Sequence, residues 1–326
     1  MTQSVLSIRD LTVEIPTRHG ILRPVDGVSY DIAPGEILGV VGESGAGKSM
    51  AGNAVIGLLS PPARIAKGEI HVNGKRIDHL KGDAMRRLRG KEIGMVFQDP
   101  LTSLNPLLRI GDQLTETILA HLDVSRSEAE KRAVAALDEV GIPGAAERIT
   151  SYPHEFSGGM RQRVVIALAL CAEPSLIIAD EPTTALDVSV QAQIIALLKS
   201  LCKERGTAVM LITHDMGVIA EAADRVAVMY AGKLAELGSV RDVLTTPRHP
   251  YTDGLMGSTP LASRGKKRLH QIPGAMPRLD NLPDGCAFHP RCPFAQDTCR
   301  ADPAPKLSDG NGAACWFPLS HAEAVA

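Results

Sequence analysis

The stretch Ile37-Leu38-Gly39-Val40-Val41, followed at once by Gly42-Glu43-Ser44-Gly45-Ala46-Gly47-Lys48-Ser49, decides the fold. Its apolar run has no polar alternation, which describes a strand buried on both faces of a parallel sheet. The glycines that follow let the backbone turn its N–H groups towards one point, and helical periodicity then runs from Gly47 to Leu59. A helix N-terminus behind such a turn attracts anions, because unsatisfied N–H groups and the helix dipole both favour negative charge. Lys48 adds a compensating positive charge, and the Ser49 hydroxyl suits Mg²⁺. Glycine-rich turns recur by chance, but strand, turn, Lys-Ser pair and helix in this order describe a P-loop for nucleotide phosphates.

Two further apolar runs read the same way, Leu176-Ile177-Ile178-Ala179 and Ala208-Val209-Met210-Leu211-Ile212. The first delivers Asp180 towards the metal and Glu181 immediately beyond, where a carboxylate can polarise water for attack on the γ-phosphate. Helical patterns lie between these strands, from Ile110 to Leu122, Ser127 to Val140, Gly158 to Ala172 and Val188 to Glu204. Strands alternating with helices imply an α/β core.

The chain opens differently. Leu11, Val13 and Ile15 alternate with polar residues, as do Val28, Tyr30 and Ile32, so antiparallel strands with one solvated face are expected. Ile70 and Val72 lead into Asn73-Gly74, a two-residue hairpin signal, because both turn positions need positive φ. From about Gly238 the pattern breaks into closely spaced prolines and a basic run, Arg264-Gly265-Lys266-Lys267-Arg268, read as a solvated linker. The expected division is an ATPase domain over 1–240, with a helical part at roughly 100–172, and a loop-rich extension over 241–326.

Composition bounds the function. The 326 residues are 44% hydrophobic and 22% charged, which excludes a disordered or fibrous chain. With 35 Lys plus Arg against 37 Asp plus Glu, bulk charge offers no attraction to nucleic acid or anionic lipid. One Trp, four Tyr and five Phe are few for a protein that works by stacking on bases. No apolar run approaches the ~18–20 residues of a membrane span. The first residues lack an export signal, so a cytoplasmic location is expected.

In order along the chain, these motifs resemble the nucleotide-binding subunit of an ATP-binding cassette (ABC) transporter. Ser157-Gly158-Gly159, opening a helix with Arg161-Gln162-Arg163, is similar to the signature that completes a partner subunit's ATP site. Phe97-Gln98-Asp99-Pro100 resembles the Q-loop, Ala185-Leu186-Asp187 the D-loop and Thr213-His214-Asp215 the switch histidine. The resemblance implies ATP on Gly42 to Met50, Mg²⁺ held by Ser49, Gln98 and Asp180, Glu181 activating water, and His214 on the γ-phosphate. His19 stands where an adenine-stacking Tyr or Trp is common. Met50 in place of Thr, and Phe156-Ser157-Gly158-Gly159-Met160 in place of Leu-Ser-Gly-Gly-Gln, look like the first ATPase of dipeptide and oligopeptide importers. Gln98 to Pro106 and Pro247-Arg248-His249-Pro250-Tyr251-Thr252 are similar to segments of peptide and nickel importer ATPases. The resemblance therefore implies a second ATPase subunit, in a heterodimer, two transmembrane permease subunits and an extracytoplasmic solute-binding protein. It places the chain peripherally on the cytoplasmic face of the membrane. Import of nickel or another solute, and a soluble ABC ATPase acting on nucleic acid or ribosomes, are the alternatives.

Of the six cysteines, Cys171 and Cys202 stand apart and read as buried thiols. Cys286-x5-Cys292-x6-Cys299-x15-Cys315 supplies four well-spaced thiols, without the pair roughly two to four residues apart that zinc sites favour. Such spacing suits a [4Fe–4S] cluster, whose irons take ligands from different directions. Zinc and unligated thiols are the alternatives. The surrounding Gly285-Cys286, Pro290-Arg291-Cys292-Pro293 also resembles the extension of peptide-importer ATPases, some of which carry such a cluster.

Overall fold

A computed structural model describes residues 4–183, 186–258, 271–307 and 311–320. The basic run Arg264 to Arg268 and the D-loop's Ala185 lie outside the described residues.

Two sheets organise the chain. The first, in order β2-β1-β4-β5, is antiparallel and comprises β1 (Leu6–Thr17), β2 (Gly20–Ile32), β4 (Arg64–Val72) and β5 (Lys75–Arg76). Asn73 and Gly74 close the β4–β5 hairpin with φ of 50° and 75°, as the dipeptide requires. Val28, Tyr30 and Ile32 are buried, as their alternation predicts. In β1 the alternation fails, because register shifts and a positive φ at Asp10 rotate the strand until Thr12 and Glu14 are buried too. Glu14 is then neutralised by Arg23 and Arg64.

The second sheet runs β11-β10-β9-β3-β8-β7-β6. Its parallel strands are β3 (Ile37–Val41), β6 (Ile93–Val96), β7 (Leu176–Asp180), β8 (Ala208–Ile212) and β9 (Arg225–Tyr230). The three apolar runs read from the sequence are β3, β7 and β8, buried at every residue. β10 (Lys233–Ser239) is antiparallel to β9, and β11 (Gly312–Ala313) brings the tail back to pair with Glu236 and Leu237.

The core has two parts. On one side of the large sheet Leu38, Val40, Met210 and Ile212 pack towards Ile8, Tyr30 and Ile32 of the antiparallel sheet, with Ala51 and Val55 of the helix Lys48–Val55 between them. On the other side lie the helices Ile110–His121, Arg126–Glu139, Gly158–Leu170 and Val188–Arg205, joined through Leu114, Ile118, Ala133, Leu137, Val164 and Leu198. Each helix falls within two residues of its expected ends, except that Lys48–Val55 stops four residues short of Leu59.

At Gly94 in β6, a Cβ would lie 2.4 Å from the backbone oxygen of Ala169, in the helix that Ser157 opens. The residue is thus fixed by close packing of strand and helix. Gly94→Ala is expected to cost about 1–3 kcal/mol of stability, read as a lower midpoint in thermal or urea unfolding.

Candidate functional site

Parallel sheets collect their functional groups where the strands end. β3 ends at Val41 and the backbone turns sharply, with φ of 150° at Gly42 and 102° at Gly47. A Cβ on Gly42 would stand 2.2 Å from the Met229 oxygen, and one on Gly47 2.0 Å from the Pro24 oxygen, so no side chain fits at either position. Lys48 is buried and folds back over the loop, donating from Nζ to the carbonyls of Gly42 (2.8 Å) and Glu43 (3.1 Å). Burial pulls its pKa down, against the pull of Glu181 and Asp180.

Ser49 Oγ donates to Asp180 Oδ1 at 2.9 Å, joining the helix after β3 to the end of β7. Asp180 is 8% exposed, and burial raises its pKa although the Ser49 hydrogen bond opposes the shift. Two oxygen donors in hydrogen-bond contact, one an anion carried at a desolvation cost, suit a hard cation such as Mg²⁺. The next residue, Glu181, has a φ of 47° and donates its N–H to Ile212 O at 2.8 Å. Its carboxylate accepts from Gln98 Nε2 (3.2 Å) and meets His214 Nδ1 (3.0 Å). Gln98, Glu181 and His214 follow the ends of three neighbouring strands, β6, β7 and β8, so the sheet order itself brings them together.

The signature residues stand on the helical part. Ser157 Oγ caps the helix Gly158–Leu170 by accepting from Met160 N–H (3.3 Å), and a Cβ on Gly158 would meet nothing within 4 Å. Asp187 caps the helix Val188–Arg205 through Val190 N–H (2.9 Å), and Val190 packs on Gly159. Among the described residues no hydrogen bond joins Ser157, Gly158 or Gly159 to the phosphate loop. His19 is exposed at the turn between β1 and β2.

The ABC transporter family model matches residues 25–184, and that of the oligopeptide/dipeptide transporter C-terminal region matches 235–299. The chain is 47% identical over 324 residues to the dipeptide transport ATP-binding protein DppD of Bacillus subtilis, spanning 98% of this chain and 97% of the relative. The chain belongs to the ABC transporter family. To the oligopeptide transport ATP-binding protein OppD of Escherichia coli it is 46% identical, spanning 97% of this chain and 94% of that one. Among solved structures, the ATP-binding cassette MJ0796, in a dimer bound to ADP and Pi, superposes with a TM-score of 0.66 at 29% identity, covering 72% of this chain and 99% of that one.

The iron–sulfur expectation gains no direct support in this ABC transporter chain. Among the described residues no group of three or more His, Cys, Asp or Glu is gathered to hold a metal ion. Cys286, Cys292, Cys299 and Cys315 nevertheless line one small pocket walled by Phe288, Phe294 and Phe317. Burial raises the thiol pKa at Cys286 and Cys292, and pushes that of Cys315 up to about 11. Cys171 and Cys202, both buried, are pushed up to about 12 and are inert thiols.

Sequence reasoning missed two tail residues that reach the phosphate loop. Tyr251 Oη accepts from Glu43 N–H at 2.9 Å, and Arg291 forms a two-pronged ion pair with the Glu43 carboxylate. The Pro247 to Thr252 motif was the available signal for the first and Pro290-Arg291-Cys292-Pro293 for the second, but neither pointed to the phosphate loop.

A raised carboxyl pKa means that Asp180 is charged at neutral pH at a cost, which disappears as pH falls through that raised value. Asp180→Asn removes the cost at pH 7. It is therefore expected to raise the melting temperature of the nucleotide-free protein while abolishing ATP hydrolysis. A lower melting temperature would contradict the reading.

Proposed function

We propose that this chain is the ATP-hydrolysing subunit of a membrane importer of dipeptides or oligopeptides, with residues 1–240 as the ATPase unit and 241–326 as its extension. The observation that carries the reading is the meeting of Gln98 and His214 on the Glu181 carboxylate, beside the Ser49–Asp180 pair, in a chain similar almost end to end to peptide-transport ATP-binding proteins.

Within Gly42 to Met50 the backbone N–H groups other than those of Glu43 and Ala46, which donate to Tyr251 Oη and Glu43 O, receive the phosphates, and Lys48 exchanges the Gly42 and Glu43 carbonyls for phosphate oxygens. Ser49, Asp180 and Gln98 would hold Mg²⁺, which would supply charge neutralisation on the phosphates. Glu181 accepts the proton of the attacking water as its oxygen bonds to the γ-phosphorus and the bond to the β-γ bridging oxygen breaks, releasing ADP. His214, on the other carboxylate oxygen of Glu181, reports the γ-phosphate. Ser157, Gly158 and Gly159 complete the site of a second ATPase subunit, and the open space around Gly158 suits a phosphate arriving from outside the chain.

Phe97, Leu101 and Leu107 are 41%, 62% and 83% exposed around the Gln98 to Pro106 segment, an apolar surface suited to two permease subunits. No helix among the described residues is long and apolar enough to cross a membrane. The chain works peripherally at the cytoplasmic face, and an extracytoplasmic binding protein delivers the solute.

For the tail, convergence of four cysteines on one pocket supports a [4Fe–4S] cluster as the group that holds its loops together. Zinc held by the same four thiols is the alternative.

Glu181→Gln is expected to lower kcat about 10²- to 10⁴-fold, the usual worth of a general base, while ATP binding survives. Unchanged turnover would overturn the assignment. Protein purified without oxygen is expected to be coloured and to contain iron and acid-labile sulfide in equal amounts; a colourless, zinc-loaded protein would reject the cluster and leave the ATPase reading intact.

A further inference from the structure

The tail does more than pack beside the ATPase core: it holds the phosphate loop at three points. The first begins at Glu236, a buried carboxylate on β10 that accepts from the N–H groups of Arg248 (2.8 Å) and His249 (2.9 Å). His249 Nδ1 accepts from Tyr251 N–H at 3.0 Å and caps the helix Pro250–Gly257. Tyr251, fully buried, is locked edge-on against Tyr230 (4.6 Å) and Phe288 (5.4 Å), and its hydroxyl accepts the Glu43 N–H.

The second point is Arg291, 8% exposed and placed between Cys286 and Cys292. Its Nη1 and Nη2 donate to the two Glu43 carboxylate oxygens at 2.7 and 2.9 Å, and its Nε donates to Pro273 O at 2.9 Å. The guanidinium also lies 5.9 Å from the Tyr230 ring centroid. A planar fork on a carboxylate fixes direction as well as distance, which a lysine cannot reproduce. At the third point, the Met276 methyl stands 3.0 Å from where a Cβ on Gly45 would lie.

Glu43 thus has its backbone N–H and its carboxylate both engaged by the tail, in a loop that offers N–H groups to phosphate. We propose that Arg291 and Tyr251 are positioning residues for ATP binding: the cysteine-bearing tail clamps Glu43 and thereby holds the phosphate loop in its nucleotide-binding shape. The proposal rests on the reading of Gly42 to Met50 as the ATP site. It gives the tail a consequence for the ATPase, because loops that carry Cys286 and Cys292 also aim the Arg291 fork.

The test is equilibrium binding of ATP and steady-state hydrolysis by the full-length protein, with thermal unfolding followed in parallel. Arg291→Met is expected to raise Kd and KM for ATP about tenfold, the order of losing one partner of a buried charged hydrogen bond, while kcat at saturating ATP stays at the wild-type value. Tyr251→Phe removes only the hydroxyl and is expected to raise Kd about threefold. Glu43→Gln combined with Arg291→Met should bind no more weakly than the worse single variant, since both break one pair. A lower melting temperature with Kd unchanged would show that the tail only stabilises the fold, and would overturn the proposal; so would additive effects in the double variant. If Arg291→Met does not fold, Tyr251→Phe and Glu43→Gln decide by the same criterion. Wild-type protein that binds no ATP, or a Lys48→Ala variant that binds as well as wild type, would instead overturn the ATP site itself.

Discussion

Two backbone carbonyls set the terms for the rest of the molecule. Met229 O and Pro24 O press so closely on Gly42 and Gly47 that the loop between them can be built only from residues without side chains at those positions. Met229 belongs to β9 and Pro24 to β2, so the two sheets together mould the loop. With no Cβ in the way, the loop exposes its N–H groups at the end of β3 and starts the helix that carries Lys48 and Ser49. The order of the neighbouring strands then brings Asp180, Glu181, Gln98 and His214 to the same edge.

The site is electrostatically unfinished by design. Burial disfavours the charge on both Lys48 and Asp180, and each makes do with a local hydrogen-bond partner, Lys48 on loop carbonyls and Asp180 on Ser49. On the proposed reading of the site, nucleotide phosphate and Mg²⁺ would bring the charges that these groups lack, so that binding would relieve a cost stored in the fold. Glu43 differs: Arg291 already satisfies its carboxylate.

Much of this was legible in the sequence because the signals are local. An unbroken apolar run reads as a buried parallel strand, glycines before Lys-Ser read as a phosphate turn, and Asn73-Gly74 reads as a hairpin. Signals failed where tertiary structure overrides local pattern. The bulged β1 buries Thr12 and Glu14 against the alternation. The strands Ile93–Val96 and Arg225–Tyr230 were not marked, the first short and the second opening on a charged residue. The pairing of Arg291 with Glu43 joins positions 248 residues apart, with no periodicity or motif to announce it. The four tail cysteines lie between these cases: their number and spacing suggested a common site, and the fold lines one pocket with all four, although among the described residues no three of them are gathered to hold a metal ion.

On this reading, phosphate chemistry at the end of the sheet drives solute movement by other subunits. The most direct measurement is ATP hydrolysis and peptide uptake in vesicles that contain this chain, its partner ATPase and both permease subunits, with binding protein and peptide supplied on the opposite side. Peptide is expected to raise hydrolysis and to accumulate in the ATP-containing compartment, and Glu181→Gln in this chain to suppress both. Hydrolysis indifferent to peptide, or uptake undiminished by Glu181→Gln, would contradict it.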